Sequence, residues 1–156
     1  MLRRFVWSRR GTTALEFALV GPLLLMLVFI IMENGLMLFA QAVLDNATVM
    51  AARQIQIGSV TTSNAFRSAV CSNMSTFFDC TKLHFYVASS STGFPSALIP
   101  STSGTFASTS FSTGSGGNYV LAEVAYNRAF VSPWVINLGG PSWILLSTQA
   151  VQNEPS

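Results

Sequence analysis

The chain has 156 residues, 50% hydrophobic and only 9% charged, whereas an ordinary soluble domain carries roughly 25% charged residues. That deficit speaks against a freely soluble cytosolic protein, and the length allows one domain or a short membrane segment plus one small domain. The formal charge of +2 conceals an asymmetry: Arg3, Arg4, Arg9 and Arg10 are four of the eight basic residues, and beyond Gly11 four basic side chains face six acidic ones. A nucleic-acid binder spreads Lys and Arg over a folded face; this chain has a single lysine, and nucleic acid is not an expected partner.

Residues 1–11 form a basic leader, MLRRFVWSRRG. From Phe17 to Met32 sixteen residues pass without a charge. Counted from Thr12, with Glu16 tolerated, the apolar stretch spans about 31 Å as a helix, the thickness of a hydrocarbon core. Residues 12–33 are therefore expected to be a single membrane-spanning helix in contact with lipid. The preceding arginines hold the N-terminus in the cytoplasm, and the remainder is translocated. Pro22 removes a backbone donor inside this run and predicts a kink or local melting.

After Glu33 the helical pattern continues. Leu36, Ala40, Val43, Leu44, Ala47, Met50 and Ala51 fall on one face and Gln41, Asp45 and Thr48 on the other. The next strong stop is Gly58, so one helix of about 45 residues, about 68 Å long, is expected from Thr12 to about Ile57. Residues 34–57 would be its continuation outside the membrane. Two helices hinged at Asn34-Gly35 are the alternative, because Gly lowers helix propensity.

Residues 58–156 read as an external α+β domain. Asn64 to Phe78 is a helix candidate, with Ala65, Phe66 and Ala69 inward. Leu83–Ala88, Tyr119–Val131 and Trp143–Val151 are strand candidates. In the second strand, Val120, Ala122, Val124 and Tyr126 share one face while Glu123 and Asn127 take the other. The three form a small antiparallel sheet packed on the outer half of the long helix. Between the first two strands, residues 89–117 include 20 Ser, Thr or Gly and no charge. They read as a mobile loop, with Phe94, Phe106 and Phe111 as possible anchors for a partner. Trp134 and Trp143 are expected to cover the sheet.

Cys71 and Cys80 are the only cysteines. An even count in a translocated domain favours one disulfide. Two cysteines and the lone His84, read as a partly exposed sheet residue, are too few for a metal site. Asp79, Glu123 and Glu154 lack paired-carboxylate spacing, and no phosphate loop leads from strand to helix. No catalytic residue, metal or cofactor is expected.

The basic leader, Gly11-Thr12 and then Glu16 before an apolar helix resemble the processing site of type IV prepilins. The resemblance implies cleavage by a prepilin peptidase between Gly11 and Thr12, with Glu16 as the fifth mature residue. Glu16 would pair with the freed Thr12 amine of a neighbouring subunit and set assembly register together with Phe17. The run Ala14 to Val20 with Pro22-Leu23-Leu24, then Glu33, then Ala47 to Arg53, is similar to the TadE-like family of the tight-adherence (Flp pilus) system. The ending Gln152 to Pro155 resembles the Asn-Glu-Pro ending common there. Major Flp pilins carry Tyr after the Glu and are shorter; TadG-like proteins carry a D-x-S-x-S that this chain lacks.

The resemblance implies a pilin-like accessory subunit of the bacterial inner membrane, with its C-terminal domain periplasmic. Other pilin-like subunits and the inner-membrane assembly machinery would be its partners, and it could enter an extracellular pilus. Three alternatives compete: a permanently anchored envelope binding or adhesion protein, a type II secretion pseudopilin, and a secreted protein cut after Ala40-Gln41-Ala42.

Overall fold

The computed structural model describes residues 12–74, 78–133, 136–137, 140 and 142–155. The basic leader with Gly11, the side chain of Thr12, and Trp134 lie outside the described residues.

Helix α1 runs unbroken over Thr12–Gln56. It passes through Pro22 and through Asn34-Gly35 in the helical state, so neither the local melting allowed at Pro22 nor the hinge is found. Its C-terminus closes as a Schellman motif. The Ser59 amide donates to the Gln54 carbonyl at 2.9 Å and the Gly58 amide to that of Ile55 at 2.9 Å. This turn needs the left-handed φ of +73° that Gly58 adopts.

The face that α1 buries is Glu33, Met37, Ala40, Leu44, Ala47, Thr48, Ala51, Ala52 and Ile55. Leu36 and Met50, expected inside, are exposed, and Thr48, expected outside, is in the core. The stripe is rotated because small side chains dominate it, letting the sheet approach closely. Thr48 is admitted because its hydroxyl donates to the Leu44 carbonyl at 2.8 Å.

Helix α2 spans Ser63–Asn73, capped by the Thr62 side chain, with Phe66, Ala69 and Val70 buried. It is shorter than the expected Asn64 to Phe78. The disulfide explains the difference: Cys71 and Cys80 are bonded with Cα atoms 6.0 Å apart. A helix continued to Phe78 would carry the chain about 10 Å beyond Cys71 and leave two residues to bring Cys80 back within disulfide reach. The chain therefore leaves the helix at Met74 and returns as a 3-10 turn, Cys80–Lys82. Arg67 ties the returning segment to α2, donating to the carbonyls of Cys80 and Leu83 at 3.0 and 3.2 Å.

Strands β1 (Leu83–Ser90), β2 (Tyr119–Ala129) and β3 (Ser142–Gln152) form an antiparallel sheet in the order β1-β2-β3. In register, Val87 faces Ala122 and Gln149, and Leu83 faces Tyr126 and Leu145. That face packs on α1 and α2, with Phe66 and Val70 contributing from α2. The fold is the α+β arrangement of a long helix against a small sheet.

Two expectations for residues 89–117 fail together. Glu123, on the face of β2 opposite Val120, Ala122, Val124 and Tyr126, is only 1% exposed, because the connection between β1 and β2 folds back over the sheet. The Leu98 amide donates to Glu123 Oε2 at 2.7 Å and the Thr148 hydroxyl to Oε1 at 3.2 Å. Farther on, Ser110 and Ser112 bond the Val87 backbone on the free edge of β1, where Phe111 forms a parallel bridge. The Phe111 ring meets Phe66 and Phe85, and Phe106 is buried against Tyr86. Two of the three phenylalanines read as partner anchors thus anchor the loop itself. They cover an otherwise unpaired strand edge.

Candidate assembly surface along the long helix

The first half of α1 is a bare apolar cylinder. Leu15, Phe17, Leu19, Leu23, Leu27 and Ile31 are all exposed, Phe17 by 76%. By length and composition this helix can cross a membrane. Thr12 opens the helix and Glu16 follows one turn later on its exposed surface. The spacing of 1.5 Å per residue therefore places Glu16 about 6 Å along the helix from Thr12.

At Glu33 the surroundings change abruptly. Its carboxylate is 6% exposed and takes two backbone hydrogen bonds, from the Val131 amide to Oε1 at 2.9 Å and the Ser132 amide to Oε2 at 3.0 Å. These two donors belong to the β2–β3 connection and explain why β2 ends at Ala129 rather than Val131. A buried charge is tolerable only when its oxygens are occupied, and here both are. Farther along, Gln41 donates to the edge carbonyl of Leu146 in β3 at 2.9 Å. The far end is closed by the Glu154 amide, which donates to the Gln56 carbonyl at 3.2 Å. Asn153, buried beside it, donates to the carbonyls of Thr113 and Ser115. The domain is thus fastened to α1 at both ends.

Asp79 accepts from the Thr81 hydroxyl at 2.6 Å and from the Thr81 amide at 3.0 Å. Those bonds, the hydroxyl first, hold its carboxyl below the usual range. Asp79, Glu123 and Glu154 serve three separate structural places. Among the described residues no three His, Cys, Asp or Glu side chains converge as metal ligands would. His84 is half-buried in β1.

Residues 11–53 match the family model of the TadE-like proteins. The TadE-like segment therefore coincides with α1, ending three residues before the helix does, and includes both Glu16 and Glu33. It takes in the bare apolar half and most of the half that carries the domain. TadE-like proteins are structural and pilus-associated, and among the described residues one N-terminal helix is long and apolar enough to cross a membrane. No curated protein and no solved structure matches the chain.

Of the residues singled out from sequence, Cys71 and Cys80 come together as a disulfide. Thr12, Glu16 and Phe17 sit together in the first turns of α1. Glu33 was quoted only as part of the family pattern, without a role. Its signal was present as the first acid after a charge-free run, but its partners are backbone amides about a hundred residues away, which no side-chain pattern announces.

Proposed function

We propose that this chain is a pilin-like structural subunit, a minor pilin or pseudopilin, used in assembling a Tad/Flp-type pilus. Prepilin peptidase would cut between Gly11 and Thr12 and remove all four leader arginines. Glu16 would then pair with the Thr12 amine of a neighbouring subunit. A carboxylate facing lipid is otherwise costly, and the pairing, with Phe17 beside it, would set the axial register. The domain would stand in the periplasm and meet other subunits and the inner-membrane assembly machinery there. The work done is mechanical and needs no cofactor.

The observation that carries this reading is the placement of the TadE-like match on one continuous helix, bare over its first half and fastened to a domain over its second. That division suits a subunit whose helix packs among other helices while its domain is held rigidly outside. Cleavage after Ala42 is physically disfavoured as a competing route. It would remove Glu33, Met37 and Ala40 from the buried face of α1.

The test is the intact mass and N-terminal sequence of the protein made with and without its host's prepilin peptidase. A start at Thr12 that depends on the peptidase is expected, and Glu16→Ala should be inserted and cut but fail to assemble. An unchanged Met1 would leave a permanent membrane anchor and remove the proposed role of Glu16. A start at Val43 would mean secretion.

A further inference from the structure

The pole of the domain nearest the apolar half of α1 presents apolar surface that the core does not cover. Val131 is 73% exposed and Trp143 56%, and Pro133 and Ile136 face outward as well. Phe29, Met32 and Leu36 are exposed on the adjacent helix. Together with Glu33, Val131, Ser132 and Pro133 they line a mostly apolar cleft of about 420 Å³.

The height of this pole is fixed by geometry. The amides of Val131 and Ser132 are bonded to Glu33, and Glu33 ends the stretch that spans a hydrocarbon core of about 30 Å. Val131 and Ser132 therefore lie at the level where α1 would leave the membrane. The opposite pole is held near Gln56 by Glu154, so the sheet runs along the helix and points its β2–β3 end at the bilayer.

Composition agrees with position. No charged residue occurs between Ala129 and Asn153, so the connection can enter the interface without desolvating a charge. The acid beneath it, Glu33, has both oxygens occupied. Trp143 stacks edge-on against Phe130 with centroids 6.3 Å apart, and an exposed indole at this height has the amphipathic character favoured at headgroup level.

We propose that this pole, through Val131, Pro133, Ile136 and Trp143, rests in the headgroup–acyl boundary of the outer leaflet and seats the domain on the lipid surface. The contact is continuous with the apolar surface of α1 and rests on the reading that α1 crosses a bilayer. The domain would then have one fixed height and tilt before any partner engages it.

The test places an environment-sensitive fluorophore on Val131→Cys in the full chain with its disulfide intact, reconstituted in phosphatidylethanolamine/phosphatidylglycerol vesicles. Leu24→Cys marks the span, and Ser115→Cys marks the far pole. Lipids carrying a quencher at shallow or deep positions report depth. The Val131 label should emit to the blue of the Ser115 label and lose more intensity to the shallow quencher than to the deep one. If it emits like the Ser115 label while the Leu24 label is quenched by the deep probe, the span stands and the seating is refuted. A blue-shifted Val131 label that neither quencher reaches would mean a protein contact covers the pole, and would also refute it. A Leu24 label that no quencher reaches would overturn the membrane-crossing reading and the seating with it.

Discussion

Replacing Glu33 by Ala removes the acceptor of two backbone amides in one step. Hydrogen bonds to a charged group contribute about 1.5 to 3 kcal/mol each, and leaving buried donors unmade is itself costly. Relief from burying the carboxylate returns part of this. The net loss expected for Glu33→Ala is about 2 to 4 kcal/mol. Glu33→Gln keeps one acceptor but turns an amide donor toward the second N–H, so its loss should be about half as large. For a domain of this size, 1 kcal/mol corresponds to roughly 4 °C, giving a fall in Tm of roughly 10 °C for the alanine variant. The assay is thermal unfolding of the full chain in lipid nanodiscs by near-ultraviolet circular dichroism, with hydrogen exchange at Val131 and Ser132. Protection of these two amides should collapse in Glu33→Ala while the amides of β2 around Val124 keep theirs. A Tm change under about 2 °C with both amides still protected would refute the idea that this carboxylate fastens the domain.

Two other outcomes follow from the geometry. Cys71→Ser should cost about 2 to 3 kcal/mol by the chain-entropy account of a nine-residue closure, read from urea unfolding midpoints; a reductant should lower the wild-type midpoint and leave the variant's unchanged. The Asp79 carboxyl is held below its ordinary value, so its stabilising contribution is present at neutral pH and is lost as pH falls through that lowered value. Urea midpoints followed down through the acid range should show wild type approaching Asp79→Asn, and a constant gap between them would sink the assignment.

How much of this was legible beforehand depended on whether the signal was local. The single helix from Thr12 was readable from the charge-free run, the lack of a stop before Gly58, and the i, i+3, i+4 spacing. The three strands followed from alternation, and the disulfide from the even count of two cysteines. What failed was long-range. Alternation puts Glu123 on the face of β2 opposite Val120 and Val124, and only a loop returning over the sheet makes it interior. The loop reads as mobile because Ser, Thr and Gly carry no periodicity, and no local signal tells that Phe106 and Phe111 fold it down rather than anchor a partner. No Gly or Pro between Asn64 and Phe78 marks the end of α2; the bridge from Cys71 to Cys80 sets it. The TadE-like segment was recognisable at Glu16 and Glu33, yet the action of Glu33 depends on two amides at the other end of the fold.

The closure of the domain by Asn153 and Glu154 also sets an order of events during synthesis. The face of α1 that carries Leu44, Ala51 and Ile55 is covered by β2 and β3 together with α2, and the carbonyl of Gln56 at the end of the helix accepts from the Glu154 amide. A chain made N-terminus first therefore exposes the second half of α1 until almost everything behind it has been synthesised. Only α2 and the 71–80 bridge, which are local, can form early. Folding is delayed by connectivity until synthesis is nearly complete, and a ribosome stalled in the 89–117 connection would leave the helix with an uncovered apolar stripe, a ready substrate for proteolysis.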